Sequence, residues 1–130
     1  MLKAVIIDSN AITRGLLQTI LQNNGWEVAG HTNTNTKGVQ LIQKFQPHFV
    51  CVDIQQMEDE INIIEAIRSE SPKTLVFVIS SAIDAATLQN IVAQGVHGIF
   101  LKPFNQATVA STVKNAVIRM IKSQQAKPAE

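Results

Sequence analysis

Four short apolar runs in this chain each stop at a polar residue. Ala4-Val5-Ile6-Ile7 ends at Asp8, Phe49-Val50-Cys51-Val52 at Asp53, Leu75-Val76-Phe77-Val78-Ile79 at Ser80, and Gly98-Ile99-Phe100-Leu101 at Lys102-Pro103. Short runs rich in β-branched residues, with no polar alternation, predict strands covered on both faces, as in a parallel sheet. Between them, apolar positions recur at helical spacing. Residues 10–23 carry Ile12, Leu16, Leu17, Ile20 and Leu21 on one stripe, with Asn10 placed to cap the start and Gly25 to supply a left-handed stop. A further strand is predicted near 28–31. The helix over 36–45 holds Val39, Leu41, Ile42 and Phe45 and stops before Pro47. A polar loop follows Asp53, and then a short helix with Ile63, Ile64 and Ile67 that ends near Ser71-Pro72. Asp84 caps a helix containing Leu88, Ile91 and Val92, closed by Gly95. Asn105 caps the last helix, where Val109, Val113, Ala116, Val117 and Met120 repeat, and 123–130 reads as a polar tail.

The pattern is a βα unit repeated five times. Right-handed crossovers turn it into an α/β three-layer sandwich with helices on both faces of one sheet. The 130 residues fit one domain around one sheet, with no boundary before the tail. Ligands of open α/β sheets bind at the carboxyl ends of the strands. Asp8, Asp53, Ser80 and Lys102 therefore meet at one edge. Taken singly, each is an ordinary turn residue. Together, two carboxylates, a hydroxyl and an ammonium suit a divalent cation and a phosphoryl group.

Composition narrows the function classes. Net charge is +1, and the Lys and Arg residues are scattered, so no basic stripe argues for nucleic acid. The apolar runs are too short to span a bilayer. Met1-Leu2-Lys3 leads straight into the first strand, which leaves no signal peptide, and Cys51 is the only cysteine, which excludes an internal disulfide. Both features fit a cytoplasmic protein. Cys51, mid-strand, reads as a small core residue. His31, His48 and His97 lack metal-ligand spacing and read as surface or turn residues, and Trp26 as packing at the domain edge. No phosphate-binding glycine loop, dinucleotide fingerprint or Gly-x-Ser-x-Gly elbow is present.

The residues Ile6-Ile7-Asp8, Arg14, Val52-Asp53-Ile54, Ile79-Ser80-Ser81, Gly95, Gly98 and Lys102-Pro103-Phe104 make the chain resemble the receiver domain of two-component response regulators, over about residues 3–122. The resemblance implies a flavodoxin-like sheet of order 2-1-3-4-5. It implies that Asp53 takes a phosphoryl group from the phosphohistidine of a sensor histidine kinase or phosphotransfer protein. Asp8, Asp53 and the backbone carbonyl of Gln55 would hold magnesium (Mg2+), which brings two anions together. Lys102 would pair with Asp53 and then with the phosphoryl oxygens, Ser80 would donate to the phosphoryl group, and the peptide before Pro103 would be cis. Such a protein is a signalling switch, not an enzyme turning over small substrates. Its output passes to a downstream protein through the helix after Ser80, the last strand and the last helix. The same face would serve a homodimer, and neither nucleic acid nor membrane is a partner.

Three departures stand out. Ser9 occupies a position where the family usually has a second acid, which predicts weak magnesium binding. The loop Gln55-Gln56-Met57-Glu58-Asp59-Glu60 is shorter than usual and acidic, and its acids read first as complementing the next helix N-terminus. Ile99 sits where the family often has a switching aromatic, and Phe100, one residue on, should face the other side of the sheet. Two rival readings remain: a degenerate receiver that binds a partner without phosphorylation, and a small flavin protein of the same fold, against which Asp8 would repel the flavin phosphate.

Overall fold

The computed structural model describes residues 1–55 and 62–125. In chain order these form β1 (Lys3–Ile7), α1 (Ala11–Asn23), β2 (Glu27–Thr32), α2 (Asn35–Phe45), β3 (Phe49–Asp53), α3 (Ile63–Glu70), β4 (Leu75–Ser80), α4 (Ala85–Ala93), β5 (Gly98–Leu101) and α5 (Gln106–Gln125). The strands lie in the order β2-β1-β3-β4-β5 and every neighbouring pair is parallel. The βα repeat predicts the alternation and the single sheet, and the strand order is the flavodoxin-like one that the family resemblance implies.

Strand alternation divides the interior in two. Ala4, Ile6, Phe49, Cys51, Phe77, Ile79 and Phe100 turn to the face covered by Leu17, Ile20 and Leu21 of α1 and by Val109, Val113 and Ala116 of α5. Val5, Ile7, Val50, Val52, Val76 and Val78 turn to the face covered by Ile42 of α2, by Ile63, Ile64 and Ile67 of α3, and by Ile91 of α4. Full burial of an aliphatic side chain contributes about 1.5–3 kcal/mol, so both faces drive folding. Phe100 lies on the α1/α5 side, stacked on Phe77 at 5.3 Å between ring centroids, as its register requires. Trp26 meets Phe49 edge-on at 5.8 Å, at the rim of the same cluster.

Capping explains most element ends. The Asn10 side chain accepts from the N–H groups of Ile12 and Thr13 at 2.9 and 3.1 Å, Asp84 from Thr87 at 2.7 Å, and Asn105 from Thr108 at 2.8 Å. Gly25 follows α1 at φ +79. Helix α2 begins one residue earlier than its apolar stripe predicts, because Thr34 caps it. It ends in Gln46 at φ 45, a left-handed residue that is not glycine. The Gln46 N–H and side-chain amide both donate to the Ile42 carbonyl, at 2.9 and 3.2 Å, and this offsets the steric cost of that conformation. Helix α5 runs to Gln125, so its regular turns continue into the stretch that reads as a polar tail from 123.

Candidate functional site

Because all five strands are parallel, their carboxyl ends share one edge, and β1, β3, β4 and β5 each deliver there the polar residue that closes their apolar run. Asp8 comes directly after β1, and Asp53 and Ser80 close β3 and β4. Lys102 comes directly after β5, and its backbone N–H donates to the Ser80 carbonyl at 2.7 Å. The peptide joining Lys102 to Pro103 is cis.

The two carboxylates are built alike. Oδ1 of Asp8 accepts from the Asn10 N–H at 2.8 Å, and Oδ1 of Asp53 accepts from the Gln55 N–H at 2.8 Å. Each is an Asx turn, in which the residue two positions on holds one oxygen. The second oxygen of each faces Lys102. The Lys102 ammonium donates to Asp53 Oδ2 at 3.0 Å and lies 3.8 Å from Asp8 Oδ2, too far for a hydrogen bond. Asp8, Asp53 and Ser80 are buried, at 0%, 4% and 1% exposure, while the lysine side chain keeps 28%. Asp8 Oδ2 is thus a buried carboxylate oxygen with no hydrogen-bond partner. Burial raises the Asp8 pKa above its ordinary value. The Asn10 N–H opposes that rise, the Asp53 charge adds to it, and Lys102 partly offsets it. Arg14 supports the turn from behind, with Nη1 donating to the Asp8 carbonyl at 2.6 Å.

An unpartnered buried oxygen on one carboxylate, beside a second carboxylate, fits a divalent cation. Among the described residues no group of three or more His, Cys, Asp or Glu side chains gathers. Among the described residues the further ligands would be carbonyl oxygens, and with water these make a donor set that suits magnesium. Ser9, which stands where another acid would add charge, is exposed. Gln55 lies at the site through its N–H. Residues 56–60, whose acids are expected to complement a helix N-terminus, lie outside the described residues.

Ser80 differs from its expected part. Its hydroxyl donates to the Ala82 carbonyl at 2.7 Å, so its proton is directed along the loop after β4. Cys51 is completely buried and burial pushes its thiol pKa up, which makes it a core residue and not a nucleophile. The histidines carry no signal in the sequence, yet two of them support the sheet. Nδ1 of His48 accepts from the Lys3 N–H at 2.9 Å and Nδ1 of His97 from the Val76 N–H at 3.0 Å, each at the start of a neighbouring strand. Only the sheet register could have revealed this.

The sequence profile of the response regulator receiver domain matches residues 4–114. The chain is 26% identical over 112 residues to the chemotaxis protein CheY of Thermotoga maritima, covering 85% of this chain and 93% of that protein. It is 30% identical over 108 residues to the transcriptional regulatory protein DcuR of Escherichia coli, but spans only 45% of that protein's length. Among solved structures, a response regulator from Thermotoga maritima superposes with a TM-score of 0.82 at 26% identity, over 90% of this chain and 98% of that one.

Proposed function

The chain belongs to the response regulator receiver domain family, whose general function is phosphorylation-based switching in two-component systems, and we propose that Asp53 is its phosphoacceptor, charged by a histidine kinase or phosphotransfer protein. This membership sets aside the flavin reading. One observation carries the proposal: a single ammonium, Lys102, lies between two buried carboxylates at adjacent strand ends, with Ser80 closing the next strand of the sheet.

In this reading the Asp53 carboxylate attacks the phosphorus of a phosphohistidine. The P–N bond breaks with its electron pair on the imidazole, which takes up a proton from solvent, and a P–O bond to Asp53 forms. When bound by Asp8, Asp53 and the Gln55 carbonyl, magnesium supplies the charge neutralisation that lets two anions approach. Lys102 moves its ammonium from Asp53 Oδ2 to the phosphoryl oxygens, a role that suits a point charge on a flexible stem. Ser80 leaves the Ala82 carbonyl and donates to the phosphoryl group. The domain acts once per phosphoryl cycle and turns over no small substrate. No helix among the described residues is long and apolar enough to cross a membrane, and the single, unpaired Cys51 suits a cytoplasmic setting. The output face carries exposed Leu88, Val92, Leu101, Ile118 and Ile121 on α4, β5 and α5. A downstream protein, or a second copy of the chain, docks there in this reading.

Incubation with acetyl phosphate and magnesium should add one phosphoryl mass to the intact protein, and Asp53→Asn should abolish it. Ser9 favours the second reading, a degenerate receiver that signals by binding alone. An unmodified wild-type mass at saturating magnesium would establish that reading instead.

A further inference from the structure

Helix α4 is lightly attached. Of its nine residues only Ile91 is fully buried, and Leu88 and Val92 stand 38% and 59% exposed. A cleft of about 570 Å³ separates part of it from α3, lined by Asn62, Ile64, Glu65, Arg68, Asn90 and Gln94. The last turn of α4 contains no basic residue to complement its carbonyl end. A cation arrives from α3 instead: Arg68 Nη1 donates to the Gly95 carbonyl at 3.2 Å. Gly95 has φ +87, and a Cβ on it would fall 2.4 Å from Nη1 and 3.0 Å from Cζ of Arg68. The missing side chain is therefore what admits the guanidinium to the helix end.

The opposite end of α4 is tied to the site. Ser80 donates to the Ala82 carbonyl at 2.7 Å, two residues before the Asp84 cap. That bond must break if the hydroxyl is to reach a phosphoryl group on Asp53, because the hydroxyl has one proton to donate. The Arg68 contact has no such link to Asp53.

We infer that Arg68 is a positioning residue that pins the C-terminal end of α4, so that release of the Ala82 carbonyl by Ser80 swings the helix from its N-terminal end about the Gly95 anchor. The inference rests on the phosphoacceptor reading of Asp53 and Ser80. The light burial of α4, whose first turn contains no fully buried residue, keeps the cost of such a swing low.

The test uses amide NMR on the whole chain, in wild type and in Arg68→Ala and Arg68→Met, the latter keeping an unbranched apolar stem without donors. In unphosphorylated protein, both variants should raise hydrogen exchange at Ala93, Gln94 and Gly95 at least tenfold and leave β4 and α5 unchanged. On phosphorylation with acetyl phosphate and magnesium, wild-type amide shifts should decline along α4 from Thr87 to Gln94. In both variants that gradient should flatten, with Gln94 and Gly95 shifting as much as Thr87. A wild type with uniform shifts along α4, or variants that keep both the gradient and the slow exchange, would overturn the inference. Absence of any wild-type shift around Asp53 and Ser80 would sink the phosphoacceptor reading, and the pivot with it. The exchange measurement needs no phosphoryl group and judges the anchor separately.

Discussion

Replacing Asp8 by Asn should make the metal-free protein more stable. Asp8 is fully buried, and its Oδ2 has no hydrogen-bond partner. Its nearby cation, Lys102, lies at 3.8 Å and is already engaged with Asp53 at 3.0 Å. At an effective dielectric of about 20, unit charges about 4 Å apart interact by roughly 4 kcal/mol. Attraction to Lys102 and repulsion from Asp53 act in opposite directions on Asp8. The desolvation of the carboxylate is the leading cause of the raised pKa. In Asp8→Asn the new amide would keep an acceptor for the Asn10 N–H and put a donor where the orphan oxygen now sits, facing Asp53. The net gain should be about 1–2 kcal/mol, or roughly 4–8 °C in Tm for a domain of this size. The pH dependence supplies the check on mechanism. Because the folded pKa of Asp8 lies above its ordinary value of 3.8, the folded chain keeps this proton after the unfolded chain has released it. Stability then falls as pH rises from 3.8 through the folded pKa, and the penalty is complete above it. The advantage of Asp8→Asn should accordingly be full at neutral pH and vanish in acid below about 3.8. Urea unfolding in EDTA at both pH values measures it. Magnesium at ten times its Kd should return about 1.4 kcal/mol to wild type and nothing to the variant. An Asp8→Asn protein less stable than wild type at neutral pH, or equally advantaged in acid, would refute the reasoning.

The same geometry yields three further expected outcomes. Lys102→Ala should abolish the phosphorylation-dependent amide shifts of α4 while leaving magnesium affinity intact or tighter, since the competing ammonium is gone; unchanged α4 shifts would remove Lys102 from the switch. Ser9→Asp restores one full charge beside Asp8 and should tighten magnesium binding about tenfold in an amide shift titration, once desolvation has cancelled most of the bare attraction; equal affinities would mean that the acids of 58–60 already supply that charge. Burial, with Arg68 and Arg119 adding to it, lowers the His97 pKa below 6.5, so its contribution is complete above that pH and is lost as pH falls toward the depressed folded pKa. His97→Gln offers the Val76 N–H an acceptor that does not titrate, and its urea midpoint should fall less than that of wild type between about pH 7.5 and about pH 5.5.

What the sequence made legible is what depends on neighbours along the chain. Val50 and Val52 alternate with Phe49 and Cys51 between two buried faces, so an unbroken apolar run announces a central strand. Asn10, Asp84 and Asn105 announce helix starts because a cap acts on N–H groups two or three residues away. Asp8, Asp53, Ser80 and Lys102 were readable for a different reason: in a parallel sheet the position after every strand is delivered to the same edge. What escaped depends on tertiary placement. Gln46 adopts a left-handed cap with no glycine to signal it. His48 and His97 accept N–H groups of strands far along the chain, and Arg68 answers a carbonyl 27 residues away.

The site's hydrogen bonding also joins fold to switch. Three of its groups are placed so that a phosphoryl group or a cation would improve on their present surroundings. Lys102 divides one ammonium between two carboxylates, Ser80 donates its only proton to a carbonyl of its own loop, and Asp8 Oδ2 has no hydrogen bond. A site satisfied in this state would resist phosphorylation, since every new contact would first have to break one of equal strength. Here an incoming dianion would give Lys102 more charge to pair with and give Ser80 an anionic acceptor, and charge-assisted bonds are about twice as strong as neutral ones. The stability withheld at Asp8 and the light burial of α4 thus belong to one arrangement: the strand ends are held by the sheet, and the groups they carry are left under-paired.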